Sequence, residues 1–135
     1  MKAKSAMVIR YLLGAIFFIF GLNGFFHFIP LPPPASEAAG AYMGGLYGSG
    51  YFFPLLALTE TAVGGMLLSG FFVPLALVIL APVTINIFLY HLSVDPAGIG
   101  MAIVVVAANA FLGWAYLASY AGVLQSKAVV EITQE

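Results

Sequence analysis

The run "FFVPLALVILAPVTINIFLYH", residues 71–91, decides the fold. It carries no Lys, Arg, Asp or Glu. Its length is close to the roughly 20 residues with which a helix crosses a hydrocarbon core. In lipid every backbone N–H and C=O must be bonded internally, so such a run must be helical or part of a closed barrel. The short alternating segments that mark a membrane barrel are missing, which leaves the helix.

Reading outward from this run, three more stretches have the same character: residues 6–29, 51–68 and 97–117. The chain as a whole is 63% hydrophobic and 7% charged, with a mean hydropathy of +1.10. A soluble domain is nearer a quarter charged, so the surface implied here is solvated by lipid. The expected architecture is therefore all-α, a four-helix transmembrane bundle forming a single domain over residues 1–135. The first stretch follows Lys2 and Lys4 and superficially resembles a signal peptide. It is too long and lacks a directly following cleavage pattern, so it reads as a retained helix.

The links between stretches differ. Residues 30–50 form a long connection with prolines at 30, 32, 33 and 34, which favour an extended exit. Ser36 is then placed to cap a short interfacial helix over residues 37–46. Ser69-Gly70 reads as a tight turn. Asp95, just before Pro96, reads as the cap of the last helix. Within the second stretch Thr61, Gly65 and Ser69 form a row of small residues beside Glu60 and Gly64, suited to close helix contact.

Lys2, Lys4, Arg10 and Lys127 are the only basic residues, and none lies in a link between stretches. The positive-inside rule then predicts cytoplasmic termini and an even number of crossings in a bacterial-type inner membrane. The formal net charge of −1 offers no basic patch for nucleic acid. The chain has no cysteine, which excludes a dithiol relay, a thiolate metal site and covalently attached c-type haem.

Against this apolar background six polar side chains stand out: Asn23, His27, Glu60, Asn86, His91 and Asn109. Helical rise places Asn23 roughly 9 Å, Glu60 roughly 13 Å and Asn86 roughly 8 Å below one boundary of the membrane. His27 and His91 lie nearer that boundary, and Asn109 is deeper. Asn23 and His27 are four apart and share a helical face, so both are expected to point inward toward Glu60 and build one polar pocket. An ionised carboxylate in hydrocarbon is costly, so Glu60 is expected to be neutral and hydrogen-bonded to Asn23 or Asn86, the alternative being an ionised Glu60 paired with a protonated His27. Asn23, Asn86 and Asn109 read first as inter-helix glue. Asn86 and His91 are five apart, which separates them on an ideal helix unless Pro82 bends it. His27, Glu60 and His91 could form a two-histidine, one-carboxylate metal set, and His27 with His91 a haem pair. Neither arrangement has a recognisable spacing, so neither metal nor haem is expected.

Three motifs carry a family resemblance: "GLNGFFHFIP" at 21–30, "SGYFFPLLALTE" at 49–60 and "FFVPLALVILAPVTINIFLYHLSVDPAGI" at 71–99. Together they make the chain similar to the DoxX family of small four-helix membrane proteins. The family is named after a subunit of a terminal quinol oxidase and is related to a thiosulfate:quinone oxidoreductase. The resemblance implies an accessory role in a quinone-linked membrane oxidoreductase, with quinone as the cofactor to expect and other subunits of a redox complex, or a second copy, as partners. It assigns no catalytic residues. The residues themselves leave two other readings open, a small carrier or proton-linked permeation unit titrating at Glu60, and a structural or assembly subunit.

Overall fold

The computed structural model describes residues 1–130. They form five α-helices: α1 (Lys2–Phe26), α2 (Glu37–Gly48), α3 (Phe52–Ser69), α4 (Val73–Ser93) and α5 (Ile99–Ala115). Short 3-10 turns at Pro96–Gly98 and Leu117–Tyr120 bracket α5. The described residues contain no strand. Helices α1, α3 and α4, and α5 with its leading turn, are long and apolar enough to cross a membrane. The chain is a membrane protein with the expected four long helices and a shorter fifth between the first two.

The tightest contact is between α1 and α3, which run antiparallel. Phe18 lies against Gly64, Gly21 against Thr61, and Gly24 against Ala57. At Gly21 a Cβ would collide with the backbone of Thr61, and at Gly64 with the backbone of Phe18. Hydrogen in place of a side chain is what lets the two backbones approach. The seam on α3 is thus Ala57, Thr61 and Gly64, which corrects the expected row of Thr61, Gly65 and Ser69. The alternating spacings of four and three keep the observed row on one helical face. Gly65 lies off this seam, with only the edge of the Phe18 ring within 4 Å.

One end of the bundle gathers the start of α1, the α3–α4 turn and the end of α5. The buried Arg10 donates from Nη1 to the Leu67 carbonyl at 2.7 Å. Lys2 Nζ sits 3.6 Å over the Trp114 ring. The Tyr120 hydroxyl donates to the Pro74 carbonyl at 3.0 Å, and burial there raises its pKa above the ordinary tyrosine value. Four crossings return the chain to this end. The half of the bundle behind it is packed shut by Leu13, Phe17, Leu67, Leu80 and Leu112, all almost fully buried. Outward-facing Val8, Leu12, Leu58, Val78, Ile103 and Val104 remain exposed, as suits contact with lipid tails.

The opposite end is looser and carries α2. Ser36 caps that helix, its Oγ accepting from Ala39 N–H at 3.0 Å, and the helix runs two residues beyond the expected end, to Gly48. Tyr42 packs on Tyr90 with ring centroids 5.3 Å apart, and Tyr47 on Phe53 at 4.1 Å. Asp95 precedes the Pro96–Gly98 turn but makes no side-chain capping bond, contrary to expectation. Its carboxylate stands beside His91 instead.

Candidate functional site

Helix α1 stops three residues before the expected boundary. His27 adopts a left-handed conformation (φ 50°, ψ 44°), and its N–H bonds back to the Asn23 carbonyl at 2.9 Å. The Asn23 side chain then clamps the exiting strand of chain. Its Oδ1 accepts from Ile29 N–H at 2.6 Å, and its Nδ2 donates to the Ile29 carbonyl at 3.2 Å. The shared helical face expected for Asn23 and His27 therefore does not exist, because His27 is no longer helical. The amide near the end of an apolar helix satisfies backbone groups that have no helical partner beyond this point.

Even so, Asn23 and His27 reach the same place. A cavity of about 520 Å³ opens at the α2 end, lined by Asn23, His27, Glu60 and His91 together with apolar side chains of all five helices. Phe17 and Phe20 of α1, Leu56 of α3, Ile87 of α4 and Val105 of α5 supply much of the wall, and Tyr47 of α2 closes one side. Its depth in the bundle follows from the α1–α3 seam, which brings Glu60 opposite the last turns of α1.

His91 is held from three directions. Its Nδ1 lies 2.8 Å from the Asp95 carbonyl oxygen. A carbonyl only accepts, so Nδ1 carries the hydrogen, leaving Nε2 free to accept or, when protonated, to donate. Its ring meets Tyr90 edge-on at 5.0 Å between centroids. It also rests on Gly98, where any Cβ would overlap the imidazole.

Asn86 and Asn109 are elsewhere. Asn86 is exposed and lines a second cavity of about 740 Å³ between α3 and α4, covered by the proline-rich link and α2. Leu31, Tyr47, Phe53, Leu56, Ile87 and His91 line both cavities, so the two adjoin. Asn86 and His91, five residues apart, do share that second space. Asn109 is buried in the closed half and donates to Thr84 Oγ1 at 3.3 Å, joining α5 to α4. It takes no part in either cavity.

No protein-family model, characterised protein or solved structure matches this chain.

The geometry adds residues that sequence reading passed over. Tyr42, Tyr47 and Phe53 are aromatic walls of the second cavity, Gly98 makes room for His91, and Asp95 lines that second cavity rather than capping a helix. The His91–Asp95 spacing of four was a usable signal, since such residues sit on neighbouring turns. Nothing local marked Gly98, whose role is a contact seven residues back along the chain. Among the described residues no three His, Asp or Glu side chains approach closely enough to hold a metal ion.

Chemically, the first cavity offers a carboxyl and two imidazoles in an otherwise apolar chamber. A lipid-soluble molecule with hydrogen-bonding atoms on its head matches that combination better than a polar metabolite does.

Proposed function

We propose that this chain is a DoxX-like protein of a bacterial-type inner membrane that binds the head of a lipid-soluble quinone beside Glu60, as an accessory to a membrane oxidoreductase. The observation that carries the reading is the convergence of Glu60, His27 and His91 on one apolar cavity of about 520 Å³. A quinone head presents two carbonyl acceptors on a flat ring. A neutral carboxyl or an imidazole N–H can donate to such an acceptor, and Phe17, Phe20, Leu56 and Val105 provide the apolar surroundings. When bound, a quinone supplies two-electron, two-proton chemistry. This chain's part is to hold and orient it, with Glu60 and the imidazoles as groups able to take or give a proton. With both termini cytoplasmic, as the placement of the basic residues favours, the cavity faces the outer half of the membrane.

The test is lipid extraction from protein purified in mild detergent, followed by quinone analysis. Wild type is expected to retain quinone in near-stoichiometric amount, and Glu60→Ala to lose most of it while remaining folded. Absence of quinone from wild type, together with no binding of an added short-tailed quinone, would overturn the reading. The rival, a proton-linked carrier titrating at Glu60, requires the half sealed by Leu13, Leu67, Leu80 and Leu112 to open. Proton or solute flux in liposomes that disappears in Glu60→Gln would favour it.

A further inference from the structure

The second cavity has chemistry of its own. It lies between α3 and α4, beneath the proline-rich link and α2, and measures about 740 Å³. That is within the usual range for a drug-sized ligand. Its walls are apolar or aromatic apart from a few groups, and Asp95 is among the residues that line it. Asp95 Oδ1 is buried and has no hydrogen-bond partner among the described residues. The other oxygen, Oδ2, is 3.9 Å from His91 Nδ1, whose hydrogen is directed to the Asp95 carbonyl. Among the described residues no lysine or arginine pairs with Asp95, whose one charged neighbour within 4 Å is His91. The side chain as a whole keeps 20% of its surface accessible, and it is the one carboxylate lining this cavity, so it is the group placed to attract a cation brought by a ligand.

The walls indicate which kind of cation. Tyr42 and Tyr90 stand beside each other at 5.3 Å, inclined by 37°, and Tyr47, Phe52 and Phe53 line the same space. Aromatic faces attract organic cations, most effectively where water is excluded. A divalent metal would instead need about six or more oxygen ligands, and only one carboxylate lines this cavity. An anion would be repelled by Asp95. The body of the ligand would lie on Pro32, Pro33, Leu55 and Met43, the last an adaptable side chain for irregular shapes.

We propose that the α3–α4 cavity is a binding site for a lipophilic organic cation, an ammonium or phosphonium head on an apolar body, held by Asp95 and the Tyr42–Tyr90 pair. The ionisable groups lining it are Asp95, His91, Tyr42, Tyr47 and Tyr90. Either a free amphiphilic cation or the quaternary ammonium of a choline lipid presents this chemistry.

The test is calorimetric titration of the full chain in dodecyl maltoside with tetraphenylphosphonium, against neutral triphenylphosphine oxide. Wild type is expected to bind the cation at least tenfold more tightly than the neutral compound. Asp95→Asn is expected to erase that preference, while Glu60→Gln leaves it intact. Quinone retention is expected to be unchanged in Asp95→Asn, which separates failure of this site from failure of the quinone site. Should Asp95→Asn not fold, Tyr42→Leu is expected to weaken cation binding at least fivefold and Tyr42→Phe to preserve it. Competition by a short-chain phosphatidylcholine would identify the lipid head as the occupant, and lack of competition a free cation. No binding of the cation by folded wild type, equal binding of the neutral compound, or a folded Asp95→Asn that binds like wild type would each overturn the proposal.

Discussion

The guanidinium of Arg10, in the third turn of α1, donates to the carbonyl of Leu67 at 2.7 Å and so caps the end of α3. The last carbonyls of a helix have no partner within it, and a cation there also complements the helix dipole. Gly70 completes the arrangement. It ends α3 with φ of 82°, and a Cβ on it would stand 2.8 Å from Arg10 Nη1. Arg10 thus joins the two most closely packed helices at the termini end.

Arg10→Met is expected to destabilise the protein by about 1.5–3 kcal/mol, the usual worth of a hydrogen bond to a charged group. Thermal unfolding in detergent, followed by circular dichroism, would measure it. Unchanged stability would mean that the Leu67 carbonyl finds another partner.

Gly64→Leu and Gly21→Leu are expected to force α1 and α3 apart, because at both sites the first atom of a side chain meets backbone. Overpacking of this sort typically costs about 1–3 kcal/mol or more. Gly113→Ala, where no atom lies within 4 Å of the new Cβ, is the matched control and is expected to be neutral. Equal tolerance at Gly64 and Gly113 would contradict the packing described.

Asn23→Leu removes both bonds to Ile29 and is expected to cost roughly 1–3 kcal/mol, two ordinary hydrogen bonds' net worth. Indistinguishable melting of Asn23→Leu and wild type would show that the clamp is dispensable.

Gly98→Ala is expected to displace the His91 ring without changing helix content, since its Cβ would occupy the imidazole's position. Retention of quinone and binding of tetraphenylphosphonium are both expected to drop, because His91 lines both cavities. Gly100→Ala, with open space around it, is expected to keep both. A Gly98→Ala protein with full binding would remove His91 from the site.

Single cysteines at 37 and 95 are expected to react with a membrane-impermeant maleimide added outside intact cells. The chain has no cysteine of its own, so labelling has no background. Reaction only after the cytoplasmic side is opened would invert the topology.

The four long helices, the capped helix at Glu37 and the return of the chain to its starting end were all legible in the sequence. Each depends on local physics: apolar length, a serine at a helix start, and the parity of crossings. Glu60 likewise announced itself, as a carboxyl deep within an apolar run. Only the tertiary structure decided what the polar side chains do. Asn23 clamps Ile29, Asn109 ties α5 to α4, Asn86 faces the α3–α4 cavity, and Asp95 stands beside His91 without capping a helix. The sequence shows that each such group needs a partner in lipid, but the partner is chosen by which backbones approach. That depends on contacts such as Gly64 against Phe18 and Gly98 against His91. A glycine looks the same in sequence whether a neighbour fills its space, as at Gly64, or leaves it open, as at Gly113.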